Sequence, residues 1–382
     1  MKIIFVESYP QVIFGQQKTL LSLLGASRNA MHQSVLATTS HGPFVDTAEA
    51  EGFDSTILPY PESLSTYGGA IYRYGWRRKI GMLFQLGNYI LELRKWLKGI
   101  SPDILFCNDM RGLLTMGVAA KSLGIPVVIW DKLDKSHGIL DWFQLPLVKL
   151  NIVISDAVEV KYPDWQKHLY RKRIIKNYNG ALLSRFDNIS PARASLGLVP
   201  EHIAFAMVGS INERKAQDRI LRLMPELAER CPNARILIVG EAEDGAQEYF
   251  ESLPNVDHPH VIHTGFRDDI PQIMASIDSL LILSRQEGMG QVTVEAMAAS
   301  RPVIGTRAGG IPEVVVDGET GLLVEGDDDE ALLNAIAQLC DDPDKRQRMG
   351  SAGRARVEAN FDRPKQHRKV IKLMEQLVEG AR

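Results

Sequence analysis

Cysteine is scarce in this chain, with three among 382 residues, at Cys107, Cys231 and Cys340. Cysteines so few and so far apart provide neither a disulfide framework nor a zinc cluster, and they favour a reducing compartment. No stretch approaches 18 consecutive apolar residues, which argues against a membrane-spanning helix. The apolar start, residues 1–8, is too short for a signal peptide and is typical of a first strand. We therefore expect a soluble, cytoplasmic protein.

Strong compositional bias is also absent. Apolar residues make up 45% of the chain and charged residues 24%, which excludes the disordered and fibrous classes. The formal net charge is only −3, but residues 1–190 carry +6 and the remainder −9. The positive half predicts an anionic partner. Nucleic acid is not expected, because the charge is diffuse and no nucleic-acid-binding motif is present.

Length and periodicity predict two α/β domains, because compact cores stop growing near about 250 to 300 residues. Short β-rich apolar runs alternate with helical patterns in both halves, which indicates parallel sheets covered on both faces. Predicted helices include Gln17–Leu24, Ile80–Lys98 and an amphipathic closing helix at about 364–380. The predicted strands are Ile3–Val6, Ser34–Ala37, Ile104–Cys107, Val127–Trp130, Ile152–Ile154, Ile203–Val208, Arg235–Val239, Val261–Thr264, Leu280–Leu283 and Pro302–Gly305.

The predicted architecture is two doubly wound Rossmann-like domains facing each other across a cleft. Asn179-Gly180 is a turn signal, and a polar connector follows at Phe186–Pro200. We assign residues 1–185 to a first domain and 186–363 to a second, with the closing helix available to pack back on the first. Ligands of such sheets bind at the carboxyl ends of the strands where strand order reverses, so we expect the site in the cleft.

The most informative stretch is 284–324. After the predicted strand Leu280–Leu283, the loop Glu287-Gly288-Met289-Gly290 leads into a helix from about Gln291 that carries Glu295. Glycines before a helix let a ligand approach the backbone, and the helix N-terminus favours a phosphate. Glu295 slants back toward that end and can accept ribose hydroxyls, while Glu287 can reach a sugar. The spacing alone is weak, since glutamates eight apart are common.

The surrounding motifs resemble retaining glycosyltransferases of family 4, which have the GT-B fold. The similar elements are Glu-x7-Glu, Ala-Met-Ala, Pro-Val, Ala-Gly-Gly-Ile-Pro-Glu and Asp-Gly-x-x-Gly-Leu-Leu-Val, all within 287–324. Further matches are Val208-Gly209-Ser210 followed by Lys215, Leu237–Gly240, His263–Phe266 and Asn179-Gly180. The resemblance covers nearly all of the second half strongly and the first half loosely.

This resemblance implies transfer of a sugar from a nucleotide-diphosphate donor with retention of anomeric configuration. It makes residues 1–185 the acceptor-side domain and 186–363 the nucleotide-sugar-binding domain. It implies that Glu287 contacts the donor sugar, Glu295 holds the ribose and Lys215 binds the diphosphate. Family frequency favours a UDP-hexose over a GDP-hexose. The other donor-binding residues that it implies are Gly288, Met289, Gly290, Gln291, Gly209, Ser210 and the nucleobase loop Thr264, Gly265, Phe266 and Arg267.

The chemistry of the bond agrees with these roles. Breaking a glycosyl–phosphate bond develops negative charge on the leaving diphosphate, which an enzyme without a metal meets with fixed cations and amide dipoles. Lys215, Arg214 and the amides of 288–291 supply them. No metal and no other cofactor is expected. The aspartates at 327–329 and at 268–269 are interpreted as helix caps.

Three departures from the family pattern concern charge and the acceptor side. Ser210 stands where many members have arginine, which leaves Lys215 and Arg214 with more of the diphosphate. Trp130-Asp131-Lys132 stands where many members have a His-Asp pair, so Asp131, Lys132 or His137 is left to face the sugar. A histidine in a polar loop is more commonly just solvated. Gly15, counted among the donor-binding residues, stands where members often have Gly-Gly, and it still lets the backbone approach the diphosphate or the acceptor.

Two segments are rich in basic residues. Segment 67–98 begins with YGGAIYRYGWRRK, in which aromatic and basic residues are interleaved, and segment 167–176 is a second basic cluster. This composition suits peripheral contact with an anionic membrane, at its inner face, or an anionic saccharide or lipid-phosphate acceptor. A solvated basic loop beside a packed helix is the third interpretation.

The leading hypothesis is a metal-independent retaining hexosyltransferase that acts on a saccharide or glycolipid in bacterial polysaccharide or lipopolysaccharide assembly. The alternative is a non-catalytic relative that keeps the nucleotide-sugar site and serves as a scaffold or regulator. A nucleotide-sugar epimerase or a phosphorylase on the same architecture is disfavoured by the motifs, and the phosphorylase also by the lack of a pyridoxal phosphate signature.

Overall fold

The computed structural model describes residues 1–62 and 76–380. The chain divides into two compact units. The first domain consists of Met1–Ile154, Glu159–Asn177 and His367–Arg382, and the second of Ser155–Val158 and Tyr178–Gln366. The main crossover between them therefore lies between Asn177 and Tyr178, and the end of the chain returns to the first domain.

The first domain is built on a seven-stranded parallel sheet. Its strands are β1 (Lys2–Glu7), β2 (Gln33–Thr38), β3 (Asp54–Ile57), β4 (Ile104–Cys107), β5 (Val127–Asp131), β6 (Leu150–Val153) and β7 (Ile174–Lys176). Their order is β3-β2-β1-β4-β5-β6-β7. The order reverses between β1 and β4, where Ile3 lies opposite Ile104 and Val6 opposite Cys107.

The second domain repeats this scheme in a six-stranded parallel sheet. Its strands are β8 (Ile203–Val208), β9 (Ala234–Val239), β10 (Val261–Gly265), β11 (Ser279–Ile282), β12 (Val303–Thr306) and β13 (Gly321–Val324). Their order is β10-β9-β8-β11-β12-β13. The reversal lies between β8 and β11, where a ligand of a doubly wound sheet is expected to bind.

Helices connect the strands of both sheets. Their bounds are α1 (Gly15–Asn29), α2 (Pro43–Ala50), α3 (Trp76–Ile100), α4 (Met110–Gly112), α5 (Val118–Ser122), α6 (Asp141–Leu147), α7 (Asp156–Glu159), α8 (Asp164–Tyr170), α9 (Gln217–Arg222), α10 (Met224–Arg230), α11 (Gln247–Glu251), α12 (Ile270–Ser276), α13 (Gln291–Ala298), α14 (Ile311–Val314), α15 (Asp329–Asp341), α16 (Pro343–Asn360) and α17 (Arg363–Glu379). None of them is long and apolar enough to cross a membrane among the residues described.

Each sheet has a fully buried apolar centre, because helices cover it and leave its strands little access to water. In the first domain, Ile4 and Leu105 from the sheet share a core with Leu93 and Leu97 from α3. In the second, sheet residues such as Phe205 pack with residues of α9 and α15. Burial of one such side chain contributes about 1.5–3 kcal/mol.

The closing helix α17 completes the first domain with its last four turns. Val370 and Met374 are fully buried. The ring of His32 bonds the carboxylate of Glu375 at 2.9 Å, and Ser22 Oγ lies 3.2 Å from Nδ1 of His367. The final helix is therefore part of the packing of the first sheet.

The predicted fold class of two doubly wound parallel α/β domains is confirmed, and all ten predicted strands are present. Three further strands, β3, β7 and β13, were not predicted, and each is a sheet edge. One predicted cap is right, since the Asp328 carboxylate accepts from Ala331 N at 2.8 Å. The other is wrong: Asp269 makes no side-chain cap at α12, because its carboxylate is held by Arg267.

Candidate functional site

The candidate site lies at the reversal of the second sheet, between the loops that follow β8 and β11. The first loop is 209–216 and the second is 283–290. Carboxyl ends of neighbouring parallel strands meet at one edge, so the two loops lie side by side. They bring together side chains that are about 70 residues apart in sequence.

Backbone contacts position the first loop. Gly209 has a φ of +137°. A Cβ at Gly240, at the end of β9, would lie 2.0 Å from the Gly209 carbonyl oxygen, so only glycine fits there. The loop then makes a tight turn at Glu213–Lys215, in which the Asn212 carboxamide oxygen accepts from Lys215 N at 3.1 Å. This turn presents Lys215.

The second loop is fixed by the Ala-Gly-Gly motif of 308–310. A Cβ at Gly309 would lie 2.0 Å from the Glu287 carbonyl oxygen, and one at Gly310 would lie 2.2 Å from that of Gly288. Gly310 N also donates to Glu287 O at 2.8 Å. Gly290 ends the loop at a φ of +76° and is the N-cap of α13. Gly309 and Gly310 therefore allow the backbone of Glu287 and Gly288 to pack directly against segment 308–310.

Glu287 is the polar centre of the site. Its Oε2 accepts from Lys215 Nζ at 2.6 Å, from Arg214 Nη1 at 3.2 Å and from Ser284 Oγ at 3.2 Å. The side chains of Glu287 and Lys215 are only 14% and 16% exposed, whereas Arg214 is more open to solvent. The structure thus brings all three predicted catalytic residues together.

The electrostatics keep Glu287 ionised. Burial acts to raise its pKa, but the charge and hydrogen bond of Lys215, the charge of Arg214 and the Ser284 hydroxyl outweigh it and lower the pKa below its ordinary value. One carboxylate therefore faces two cations, which leaves a net positive charge. A ligand with phosphate charge would be attracted to such a site.

Glu295 belongs to a different group of contacts. It is partly buried on α13, and its charge interacts with the guanidinium of Arg363. The carbonyl oxygen of Gly180 accepts from Arg363 Nε at 2.9 Å and from Gln291 Nε2 at 3.2 Å. Glu287 is thus paired with Lys215 and Arg214, whereas the charge of Glu295 acts on Arg363.

The predicted nucleobase loop follows β10. The Gly265 carbonyl oxygen accepts from Gly240 N at 2.9 Å, which ties the ends of β10 and β9 together. Phe266 is exposed and its amide donates to Glu241 Oε1 at 3.4 Å. Arg267 is engaged by both carboxylate oxygens of Asp269, and Thr264 Oγ1 donates to a backbone oxygen. The loop therefore offers a ligand mainly backbone and an aromatic ring.

Comparison with known proteins gives a family match for most of the second domain. Residues 188–356 match the family model described as glycosyl transferases group 1. The chain contains a group 1 glycosyltransferase domain. It is 33% identical over 175 residues to a D-inositol 3-phosphate glycosyltransferase of Corynebacterium diphtheriae, covering 43% of this chain and 40% of that relative.

A GDP-mannose-dependent monoacylated alpha-(1-6)-phosphatidylinositol monomannoside mannosyltransferase of Corynebacterium glutamicum is 32% identical over 205 residues, which cover 48% of this chain and 51% of that relative. The chain thus spans about half the length of these relatives or less. Among solved structures, Anabaena HepE in complex with UDP and glucose superposes with a TM-score of 0.80 at 21% identity, covering 98% of this chain and 100% of that one. This likeness confirms the predicted two-domain GT-B fold.

Within the group 1 glycosyltransferase domain, two predicted donor residues have simple surroundings. Ser210 is exposed, and its Oγ lies 3.2 Å from Asn212 Nδ2. Met289 is buried. Among the residues described, no group of three or more His, Cys, Asp or Glu side chains is arranged to hold a metal ion.

The acceptor-side candidates all lie in the first domain. Asp131 is buried and engaged by Lys161 Nζ at 2.7 Å and by Gln144 Nε2 at 2.9 Å. His137 contacts Asp141, with Nδ1 3.3 Å from Oδ1 and its amide 2.8 Å from Oδ2. The partners of both residues thus come from their own domain.

Gly15 is the exposed first residue of α1, and a Cβ there would meet nothing within 4 Å. Among the acceptor-side candidates, Lys132 is part of a polar cluster at the reversal of the first sheet, which sequence reasoning missed in part. Its Nζ donates to Asn108 Oδ1 at 2.6 Å, and Asn108 Nδ2 donates to Glu7 Oε2 at 2.6 Å.

Burial and the charge of Asp109 raise the pKa of Glu7 to about 7, while burial lowers the pKa of Lys132 to about 8. The amide of Asn108 therefore joins an acid and a base whose pKa values lie close together.

Several residues of the second domain were not predicted from sequence. Asn212 could have been found, because an asparagine three residues before Lys215 is a common turn signal. Ser284 and Arg363 carry no local signal, since their roles arise from contacts with Glu287 and with the neighbourhood of Glu295.

Proposed function

We propose that this chain is a retaining, metal-independent glycosyltransferase. It moves a hexose from a nucleotide-diphosphate sugar to a saccharide or glycolipid acceptor in bacterial cell-surface polysaccharide or lipopolysaccharide assembly. The observation that carries this proposal is the Lys215–Glu287–Arg214 group at the strand reversal of the group 1 glycosyltransferase domain. The names of its curated relatives, which describe sugar transfer to inositol-based acceptors, support it.

In the proposed reaction, the bond between the anomeric carbon and the diphosphate oxygen breaks, and the electron pair leaves with the diphosphate. Lys215 and Arg214 stabilise that developing negative charge. The amides at the start of α13 lack intrahelical partners and add a positive dipole. Glu287 orients the sugar through its hydroxyls while its position is held by Lys215 and Ser284.

Glu295 is proposed to bind the ribose hydroxyls, and the backbone of 264–267 the nucleobase. Acidic residues in this position of doubly wound sheets accept hydrogen bonds from ribose. The acceptor hydroxyl adds to the face from which the diphosphate departs and passes its proton to the oxygen of the departing diphosphate. A UDP-sugar is favoured over a GDP-sugar as the donor, although the chain's relatives include a GDP-mannose-dependent enzyme.

Calorimetric binding of UDP-, GDP-, ADP- and dTDP-sugars, with and without EDTA, tests the donor site. We expect one base to bind equally well in EDTA. Glu295→Ala should weaken that binding by about 1.5–3 kcal/mol, because charged hydrogen bonds are lost. Exposed Glu358→Ala on α16 is the matched control. Binding that requires a divalent cation would contradict metal independence.

The activity is tested by measuring donor hydrolysis and sugar transfer to glycolipid extracts. The anomeric configuration of the product is then determined. An inverted product would overturn the retaining assignment. Donor binding with neither transfer nor slow hydrolysis would favour the non-catalytic scaffold, for which the serine at position 210 is the motivating departure.

Peripheral contact with an anionic membrane is a further part of the proposal. Of the predicted segment 67–98, residues 67–75 lie outside the described residues. The start of α3 carries an exposed apolar strip of Trp76, Ile80, Leu83 and Phe84. The second predicted segment, 167–176, lies on and after α8.

A further inference from the structure

We propose that an aromatic ridge on α6 and α8 of the first domain docks this protein onto an anionic membrane surface. The aromatic ridge consists of Ile139, Trp142, Phe143, Trp165 and Leu169. Each of these side chains is between 50% and 63% exposed. Docking through this ridge is independent of the donor chemistry proposed above.

The ridge is one continuous surface, because α6 and α8 pack side by side. The rings of Trp142 and Trp165 meet edge to face, with centroids 6.3 Å apart. Gln166 Nε2 donates to the Trp142 carbonyl oxygen at 2.9 Å, which fixes the two helices to each other. Leu169 lies one turn beyond Trp165 on α8, and Ile139 precedes α6 by less than a turn. Exposed apolar side chains grouped in this way mark an interaction surface.

Basic residues border the ridge at the carboxyl end of α6. Arg173 Nη1 donates to the carbonyl oxygens of Leu145 and Val148 at 3.2 and 3.0 Å, so the turn after α8 rests on that end. The same turn carries exposed Arg171 and Lys172. We call Arg171, Lys172 and the neighbouring exposed Lys149 the basic margin. Residues 164–176 contain five Lys or Arg and one Asp.

This combination favours a bilayer over a protein partner. Tryptophan is preferred at the membrane–water boundary, because its ring is apolar while its N–H stays hydrated. Lysine is depleted in protein–protein interfaces but is attracted to anionic headgroups. An anionic leaflet thus satisfies both the ridge and its margin.

The test is co-sedimentation of the full chain with vesicles of equal parts phosphatidylglycerol and phosphatidylcholine, and with pure phosphatidylcholine. We expect binding to the anionic vesicles only. Trp142→Ser combined with Trp165→Ser should reduce the partition coefficient at least about tenfold, and Arg171→Gln with Lys172→Gln by at least about fivefold. The matched control is Met31→Ser, which alters an exposed apolar side chain outside the ridge, α3 and segment 167–176 and should leave partitioning within about twofold. Ile80→Ser with Phe84→Ser is measured beside it and gives the contribution of the exposed strip of α3.

A second measurement needs no ridge variant. Brominated phosphatidylcholine in the anionic vesicles should quench the tryptophan fluorescence of the Trp76→Phe protein, whose exposed tryptophans are then Trp142 and Trp165. Cooperative unfolding followed by the fluorescence of buried Trp130 shows whether the first domain of the ridge variant has folded.

Four results would overturn the proposal: no binding to anionic vesicles, equal binding by the folded ridge variant, loss of binding only in the α3 variant, or a ridge-dependent dimer that ignores vesicles.

Discussion

Lys215 and Glu287 are 72 residues apart in sequence, and Lys215 Nζ lies 2.6 Å from Glu287 Oε2 in the candidate site. The pair is mostly shielded from water, so removal of either partner leaves the other as a poorly compensated charge. Arg214 contacts the same carboxylate oxygen from a more exposed position and can replace only part of that interaction.

Lys215→Ala should therefore lower turnover by on the order of a hundredfold or more, because the developing diphosphate charge loses its nearest buried cation. Steady-state kinetics with the donor found by calorimetry measure this loss. Lys345→Ala, whose ammonium contacts only the Gln338 side chain among its recorded partners, is the control. Unchanged turnover in Lys215→Ala would contradict the role assigned to it.

Glu7 predicts a pH dependence of stability in the first domain. Burial, then the charge of Asp109, raises its pKa from 4.5 to about 7 in the folded state. A carboxyl whose folded pKa is raised contributes its full stability below pH 4.5 and loses it as pH rises through 7. The loss is about 3 kcal/mol from Glu7 alone. The raised pKa of Asp109 changes stability in the same direction. The lowered pKa of Lys132 acts at higher pH and in the opposite direction, since stability rises as pH increases from about 8 to 10.5.

Glu7→Gln should flatten the dependence of unfolding free energy on pH between 4.5 and 7, because the titrating group is gone. Guanidinium unfolding followed by tryptophan fluorescence reports this domain, since all five tryptophans belong to it. The slope, rather than the absolute stability, is the readout. An unchanged slope in Glu7→Gln, with exposed Glu51→Gln as control, would show that Glu7 is not the titrating group.

Among the loops and helices, the segment 308–310 shows how backbone packing supports a functional side chain. Gly309 has a φ of +53° and sits against the backbone of Glu287. Any Cβ there displaces the loop that carries the carboxylate. The tight loop therefore links local backbone geometry to the position of the Glu287 carboxylate.

Gly309→Ala should destabilise the second domain more than Gly318→Ala does. Gly318 has a φ of +76° but open space around it, so alanine there costs about 1–2 kcal/mol of strain alone. At Gly309 the clash adds about 1–3 kcal/mol. Unfolding followed by circular dichroism measures the difference, and donor affinity should fall only for Gly309→Ala. Equal losses would mean that the loop accommodates the methyl group.

The closing helix α17 gives an element-level prediction about the first domain. Met374 is fully buried, whereas Met31 is 92% exposed. Met374→Ala should lower the unfolding free energy by about 2–5 kcal/mol through lost contacts and a cavity. Met31→Ala should change it by less than about 0.5 kcal/mol. Tryptophan-detected unfolding compares the two, and similar values would show that α17 does not stabilise the first sheet.

For the whole molecule, the division into two domains predicts that their stabilities respond differently to a donor. The second domain contains no tryptophan, so tryptophan fluorescence reports unfolding of the first domain only. Circular dichroism reports the backbone of both domains. A donor present at 100 times its Kd should stabilise the second domain by about 2.7 kcal/mol. We expect the dichroism transition to shift and the fluorescence transition to move less. A larger shift in fluorescence would place the donor's main contacts in the first domain.

The amino-acid sequence alone determined the two α/β domains, the strand–loop–helix around Glu287 and the glycines of its loop. These features depend on local pattern: buried parallel strands are continuous apolar runs, and a glycine-rich turn before a helix keeps its geometry in any context. The edge strands β3, β7 and β13 were missed because they are short and less buried than central strands, which weakens that pattern.

Only the tertiary structure decided which polar groups meet. The pairing of Lys215 with Glu287, the Glu7–Asn108–Lys132 cluster and the contact of Trp142 with Trp165 all join residues from separate elements. Strand order and helix packing set these meetings, and neither follows from local periodicity. The same holds for Asp269. The sequence predicted a helix cap there, but its carboxylate accepts from Arg267 in the structure, because a charged partner two residues away outcompetes a backbone amide.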